Sequence, residues 1–251
     1  MNTNPDHSLV KRLLCLLEAF ESTSKPQTAK DLSNKTGIPL STTYRLLAEL
    51  VGWGALARNS NGAYYIGVRL WELGQMAGLS QREHIVRPFL QDLFELVHEN
   101  VHMAIRQGAT ALYVDKIYGS KKLPEVARIG SKLPLHTTAV GRVLLASEPE
   151  WFIEAYVNGK LVAPTPKTLV EPQDLYDELK FVKKQGYSIT SEQTRLGASS
   201  IALPIVVLGK TIAAVGIVLD SKRVGELPEL LPYLRGTVER IELALKPAGK
   251  R

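Results

Sequence analysis

Residues 37–66, running from Gly37 through Ser41, Thr42 and Thr43 to Asn59-Ser60-Asn61-Gly62, leave little choice of local structure. Gly37 closes one helical run, because a residue without a Cβ takes the left-handed conformation that ends a helix. Pro39 and Ser41 open the next, since proline suits a first turn and a short hydroxyl satisfies an amide there. Leu46, Leu47 and Leu50 give that helix an inward face, and Gly52 ends it. Two short strands, Ala55–Arg58 and Ala63–Gly67, flank the Asn-Gly turn as a hairpin. Helix, turn, helix and hairpin in that order form a winged helix-turn-helix pattern.

Upstream, Ser8 caps a helix predicted to reach about Phe20, with Leu9, Leu13, Leu16, Leu17 and Phe20 on one face. Lys25-Pro26-Gln27 interrupts it, and Thr28 caps a second helix from Ala29 to about Thr36. Downstream, Leu70, Leu73 and Met76 mark an amphipathic helix over Arg69–Leu79. A longer helix runs from Arg82 to about Glu99, and Pro88 is expected to kink or restart it.

Beyond Val101 the pattern changes. Strand candidates are Val101–Arg106, Ala111–Ile117, Val126–Ile129, Tyr187–Ser191, Ser200–Val207 and Thr211–Leu219; helical ones are Thr138–Ala146, Glu150–Tyr156, Gln173–Gln185 and Leu227–Leu245. The mixture reads as an α+β domain on an antiparallel sheet, with a hairpin turned at Gly209-Lys210.

The 251 residues suffice for one large or two modest domains. The chain carries 31 basic and 25 acidic residues, a net charge of +6. Between Ser22 and Leu70 the balance is six basic residues against two acidic ones, a local +4, which suits a phosphate-facing surface. The single cysteine, Cys15, lies in an apolar run and has no internal disulfide partner. Lys11, Arg12 and Glu18 interrupt the one candidate for a signal peptide, and no apolar run is long enough to span a bilayer. A cytoplasmic protein without a membrane partner is expected.

No reactive constellation stands out. His98 and His102 have the spacing of helical metal ligands, but Asn100 is expected to end the helix between them. His136 lies beside Thr137 and Thr138 without a nucleophile elbow. Gly52-Trp53-Gly54-Ala55-Leu56-Ala57 fits a dinucleotide pattern only formally, because it follows a helix and precedes a strand. Neither enzyme activity, a metal nor a cofactor is expected.

A recognition helix enters the major groove with short polar side chains at its leading end. Ser41, Thr42 and Thr43 occupy that end, with Tyr44 and Arg45 further along. Hydroxyls reach base edges or phosphates, and arginine contacts guanine bidentately. Thr28 and Pro39 begin the two helices of the motif, and Arg58 and Asn61 near the hairpin tip are candidates for the minor groove or the backbone. Double-stranded operator DNA is the expected partner. A protein-binding sensor without DNA activity, or a small-molecule enzyme with an N-terminal interaction module, are the alternatives.

Three stretches in order resemble the IclR family of bacterial regulators. Ser41-Thr42-Thr43-Tyr44-Arg45-Leu46-Leu47 resembles its recognition helix. Arg128 to Ala146, with Gly130, Pro134-Leu135-His136 and Gly141, resembles its Gly-x-x-x-Pro-Leu/Met-His-x-x-x-x-Gly-Lys-x-x-Leu-Ala segment. Gln185-Gly186-Tyr187, Glu192, and Gly197 leading into Ile201-Ala202-Leu203-Pro204 make the third. The resemblance implies a winged helix-turn-helix over residues 1–68, a linker helix over 69–80 and a GAF/PAS-like effector-binding and oligomerisation domain over 81–251. It also implies a homodimer or a dimer of dimers on a palindromic or repeated operator.

The resemblance further implies a small-molecule effector between the sheet and the loop and helix from Gly130 to Gly141. Thr137 and Thr138 would supply hydroxyls and amides at a helix N-terminus, which attract a carboxylate; the alternative is a loop and cap that close the domain. Relatives that bind small keto acids use polar residues at positions held here by Thr190, Ser200, Gly216 and Val218. The substitutions predict a larger, more apolar pocket for an aromatic or longer aliphatic carboxylic acid. Its expected lining adds Met103, Ile105, Tyr113, Leu123, Val126, Ile129, Leu135, Ala139, Val140 and Ala202. Glu192 reads as structural, because a carboxylate repels an acid.

Overall fold

A computed structural model of the chain describes residues 8–21, 23, 25–76, 78–119 and 127–246, with the backbone alone for 78–83. The chain divides into two compact units between Gln81 and Arg82.

In the first unit, α1 (Leu9–Glu18), α2 (Ala29–Thr36) and α3 (Leu40–Trp53) precede the hairpin of β1 (Leu56–Arg58) and β2 (Tyr64–Ile66), and α4 (Val68–Gln75) follows. Leu16, Phe20, Leu32, Leu46, Leu47, Leu50, Leu56 and Tyr64 form its buried core. Each leucine taken fully from water contributes about 1.5–3 kcal/mol. Leu9, expected on the buried face of α1, is 55% exposed. Thr28 caps α2 by a reciprocal box with Asp31, and Gly37 at φ +71° ends it, donating to Ser33 O at 2.9 Å. Gln27 pairs with Tyr64 as an extra bridge on the hairpin, through N–H···O bonds of 2.8 and 2.7 Å.

In the second unit, α5 (Gly78–Val97) continues through Pro88, where a kink or a restart was expected, without restarting, and begins in the first unit. The helix expected over Arg69–Leu79 is therefore two: α4 ends at Gln75 and α5 starts at Gly78, so residues 69–80 form no single linker helix. Then come β3 (Asn100–Gln107), β4 (Thr110–Ile117), β5 (Lys132–Pro134), a 3₁₀ turn over Leu135–Thr137 and α6 (Ala139–Ala146). They are followed by α7 (Glu150–Val157), α8 (Pro172–Gln185), β6 (Ser188–Ser191), β7 (Ala198–Val207), β8 (Lys210–Asp220), a 3₁₀ segment over Ser221–Glu226 and α9 (Leu227–Leu245).

The six strands form one antiparallel sheet in the order β5-β4-β3-β8-β7-β6. One face packs on α6, α7 and α8 through Ala104, Tyr113, Val140, Leu144, Leu179 and Ala202. The other packs on α5 and α9 through Leu90, Leu93, Val101, Met103, Ile201, Val215 and Ile241. The β7–β8 turn is made by Leu208 and Gly209, at φ +51° and +74°, one residue earlier than expected; two left-handed residues match the twist of the flanking strands. The strand expected at Val126–Ile129 does not form over its described residues: Arg128 to Ser131 is a turn, closed by Ser131 N donating to Arg128 O at 2.9 Å, and β5 follows it. A bulge between β3 and β4 pairs Met103 with Asp115 and Ala104 with Tyr113, leaving Val114 over. It reverses which side of β4 faces which helices. Among the described residues no helix is long and apolar enough to cross a membrane.

Candidate functional site

Two surfaces of the molecule concern the expected chemistry, one in each unit. In the first, the turn between α2 and α3 is held by side chains: Ser33 Oγ donates to Ile38 O at 2.7 Å and Thr36 Oγ1 to Leu32 O at 2.7 Å. Thr43 belongs to this lock and not to the outer face. It is 0% exposed and donates to Ile38 O and Pro39 O, each at 3.2 Å. Helical phase explains the correction, since Thr43 shares its side of α3 with Leu46, Leu47 and Leu50.

Pro39, Ser41, Tyr44 and Arg45 remain exposed at the leading end of α3, Tyr44 at 50%, and Thr42 is half-buried. No side chain caps this helix, so its first amides face outward beside them. Arg45 has no partner among the described residues. The hairpin tip is tied internally: Asn59 Oδ1 accepts from Asn61 N and Ala63 N at 3.1 and 2.9 Å, and Arg58 Nε donates to Gly62 O at 3.0 Å while lying over the Tyr64 ring. Arg58 thus shapes the tip, and Asn61 is exposed on it. Thr28 is exposed, with its hydroxyl engaged by Asp31.

In the second unit a small cavity of about 20 Å³ opens between the sheet and the N-terminus of α6. Tyr113, Thr138, Thr190, Ser200 and Val218, all expected here, line it. Gln193, Thr194, Arg195, Ala198 and Ser199 line it as well. The signal for this second group was present: a polar run between Glu192 and Gly197 separates two strands. Most lining residues carry polar side chains, so the cavity among the described residues is polar where an apolar one was expected. Thr190 Oγ1 and Ser200 Oγ lie 2.9 Å apart across paired strands. Arg195 is exposed and adds a cation to the lining.

Several expected residues stand elsewhere. Met103 and Ile105 face α5 and α9, on the other side of the sheet. Leu135, Ala139, Val140 and Ala202 are buried core beneath the cavity, and Ile129 is exposed on the turn before β5. Gly216 and Gly141 make close internal packing: a Cβ on Gly216 would meet Val140 Cγ1 at 3.0 Å, and one on Gly141 would meet Leu135 O at 2.3 Å. Gly130, at φ +85°, serves its turn. Thr137 donates to Pro134 O at 3.1 Å, and its carbonyl accepts from Thr194 Oγ1 at 2.6 Å. Thr138 caps α6 by accepting from Gly141 N at 2.9 Å and bonds the Tyr113 hydroxyl. Leu123 and Val126 lie outside the described residues.

Two charged groups hold the wall. Arg142, 2% exposed, donates through Nε to His136 O at 2.9 Å, through Nη1 to Glu178 at 3.3 Å and through Nη2 to Gln193 Oε1. Glu192, at φ +55°, accepts from Gly197 N at 2.8 Å, Ser221 Oγ at 2.9 Å and Lys167 Nζ. Those bonds, Lys167 first, hold its pKa down to about 2.

His102 has the sequence spacing of a metal ligand with His98 but sits on a strand. It lies in β3 between Lys116 and Gly216, 3% exposed, with its ring edge-on to Tyr113 at 5.5 Å. Its Nε2 is buried without a hydrogen-bond partner among the described residues, and burial pushes its pKa down to about 3. Such an atom costs about 1–3 kcal/mol and calls for an explanation. Among the described residues no group of three or more His, Cys, Asp or Glu is arranged to hold a metal ion.

Comparison with known proteins connects the two surfaces. Residues 9–60 match the family described as the IclR helix-turn-helix domain, and residues 80–243 that described as bacterial transcriptional regulator IclR C-terminal. The HTH-type transcriptional regulator XynR of Escherichia coli is 30% identical over 247 residues, covering 95% of this chain and 96% of its own. The HTH-type transcriptional regulator KipR of Bacillus subtilis is 29% identical over 245 residues, covering 96% of each. An IclR homolog from Microbacterium hydrocarbonoxydans, crystallised with 4-hydroxybenzoate, has a TM-score of 0.89 at 26% identity, covering 95% of this chain and 99% of that one. The likeness bears out the architecture of an N-terminal helix-turn-helix and an α+β, GAF-like second domain. With both domains matched in order and the identity spread along nearly the whole length, the chain belongs to the IclR family of bacterial transcriptional regulators, and its function is regulation and not catalysis.

Proposed function

We propose that this regulator reads operator DNA through the leading end of α3 and is controlled by an aromatic carboxylic acid held in the cavity below α6. The observation that carries the effector class is the cavity wall, which brings together the guanidinium of Arg195, the hydroxyls of Thr138, Thr190 and Ser200 and the ring of Tyr113. A guanidinium and hydroxyls suit a carboxylate, and an aromatic face suits a ring. The relative crystallised with 4-hydroxybenzoate supports the same class.

On the DNA side, Ser41, Thr42, Tyr44 and Arg45 carry the contacts, with Thr28, Pro39 and Asn61 at the margin. The operator is read as two half-sites, by a dimer or a dimer of dimers, because one recognition helix buries little surface. The apolar side chains exposed on α4, Val68, Trp71 and Leu73, and that of Met76 just after it support self-association. Residues 1–68 act as the DNA-binding domain, residues 81–251 as the effector and oligomerisation domain, and the stretch between transmits the signal. The effector shifts the operator-binding state only as far as it binds the two states differently. A catabolic operon for the acid is the expected target, and the cytoplasm the expected compartment.

The test is isothermal titration of the full chain with benzoate, 4-hydroxybenzoate, pyruvate and glyoxylate, followed by operator binding with and without the tightest ligand. The aromatic acids are expected to bind at least tenfold more tightly than the keto acids and to change operator affinity. Tighter binding of pyruvate or glyoxylate would sink the effector class.

A further inference from the structure

We propose that His102 is a specificity-determining residue of the effector site, pairing through Nε2 with a neutral polar group, such as a ring hydroxyl, at the end of the effector remote from its carboxylate. The inference rests on the preceding reading of the cavity as an acid site.

Three observations carry it. First, the sheet register puts His102 opposite Gly216, and Gly216 is two residues from Val218, which lines the cavity. On this face the neighbouring row, Val218, Ser200 and Thr190, is cavity wall, so His102 stands one row from it. Second, the partner of its ring is Tyr113, itself a lining residue whose hydroxyl is engaged by Thr138. The tyrosine hydroxyl is thus turned toward the α6 cap, and His102 is left with an aromatic edge where a hydrogen bond would stand. Third, Nε2 has no hydrogen-bond partner among the described residues, in an interior where nearly every buried polar atom is paired. A ligand that supplies the missing bond explains why a polar ring is kept there.

The chemistry of the group selects its partner. Burial keeps the imidazole neutral at physiological pH, so it offers one N–H or one lone pair and no charge. It does not attract a second carboxylate. The cation among the lining residues is Arg195. The effector this arrangement fits is a monocarboxylic acid with a hydroxyl at its far end, and the unsubstituted acid binds less well because it leaves Nε2 unpaired.

Titration calorimetry on the full chain with benzoate and 4-hydroxybenzoate, for wild type, His102→Phe and His102→Gln, tests this. Wild type is expected to prefer 4-hydroxybenzoate by about tenfold, the effect of one neutral hydrogen bond in a buried site. His102→Phe is expected to bind both acids alike, and His102→Gln, which keeps a donor and an acceptor, to regain part of the preference. A Phe variant that retains the preference, or a wild type that binds both acids equally, overturns the assignment of His102 and leaves the acid reading standing. A wild type that binds neither acid overturns both. Should the Phe variant not fold, nitrogen-15 spectra of labelled wild type decide: 4-hydroxybenzoate must shift the His102 Nε2 resonance and benzoate must not, and an equal response to the two acids refutes the pairing.

Discussion

The buried guanidinium of Arg142, on α6, donates to the side chain of Gln193, which lines the cavity between β6 and β7. One cation thereby ties the cavity wall to the 3₁₀ turn through His136 and to α8 through Glu178. Arg142→Ala is expected to destabilise the protein by about 3 kcal/mol, because it removes one partner of a largely buried pair and all three tethers. Gln193→Ala alone is expected to cost about 1 kcal/mol. The double variant should add little to Arg142→Ala, since both remove the same bond. Urea denaturation of the three variants checks this, and fully additive losses would argue that the contact contributes nothing.

Arg45 and Thr43 lie two residues apart on opposite sides of α3, and their substitutions should separate. Arg45→Ala is expected to weaken operator binding by about 10- to 100-fold, the discrimination of one base or phosphate-directed contact, with an unchanged melting temperature. Thr43→Val is expected to lower stability by about 1 kcal/mol through the lost bonds to Ile38 O and Pro39 O, with a smaller effect on DNA. Fluorescence anisotropy on an operator duplex, alongside thermal melting, reads both. The reverse ordering would remove Arg45 from the interface.

Gly37 stands at φ +71°, where a side chain meets its own backbone. Gly37→Ala should therefore destabilise the first unit by about 1–2 kcal/mol and tilt α3 relative to α2. Thermal melting together with operator affinity measures the two effects, and a stabilised variant would contradict the geometry.

Glu192 makes a pH signature available. Its folded pKa lies near 2, below the ordinary 4.5, so the unfolded chain binds the extra proton first. The stability contributed by its bonds to Lys167, Gly197 and Ser221 is fully present above about pH 4.5 and fades as pH falls toward 2. Chemical denaturation of wild type and Glu192→Gln between pH 3 and 7 should show a gap that narrows steadily below pH 4.5. A gap independent of pH would mean that the carboxylate charge is immaterial.

Local chemistry made much of the fold legible. α2 over Ala29–Thr36 follows from its caps at Thr28 and Gly37, and α9 over Leu227–Leu245 from apolar spacing. Helical phase also held the information that Thr43 faces inward, since it falls three and four positions before Leu46 and Leu47. The polar cavity run from Gln193 to Arg195 stood in the sequence as well, beside the Glu192 and Gly197 that marked the segment.

By itself, then, the sequence carried the winged N-terminal motif and the α+β second domain, because caps, turns and periodicity act between near neighbours, and three motifs in order carried the resemblance to the family. Tertiary structure alone decided which side of the sheet each strand residue meets. Alternation sets Met103 and Ile105 on one side together, but it does not say which side; the bulge at Val114 brings Tyr113 to the α6 face and leaves both of them against α5 and α9. The same sheet sets His102 beside Gly216 and Tyr113, 114 and 11 positions away, with a nitrogen that has no hydrogen-bond partner among the described residues. Those relations depend on strand register and packing between distant segments, which no local preference encodes.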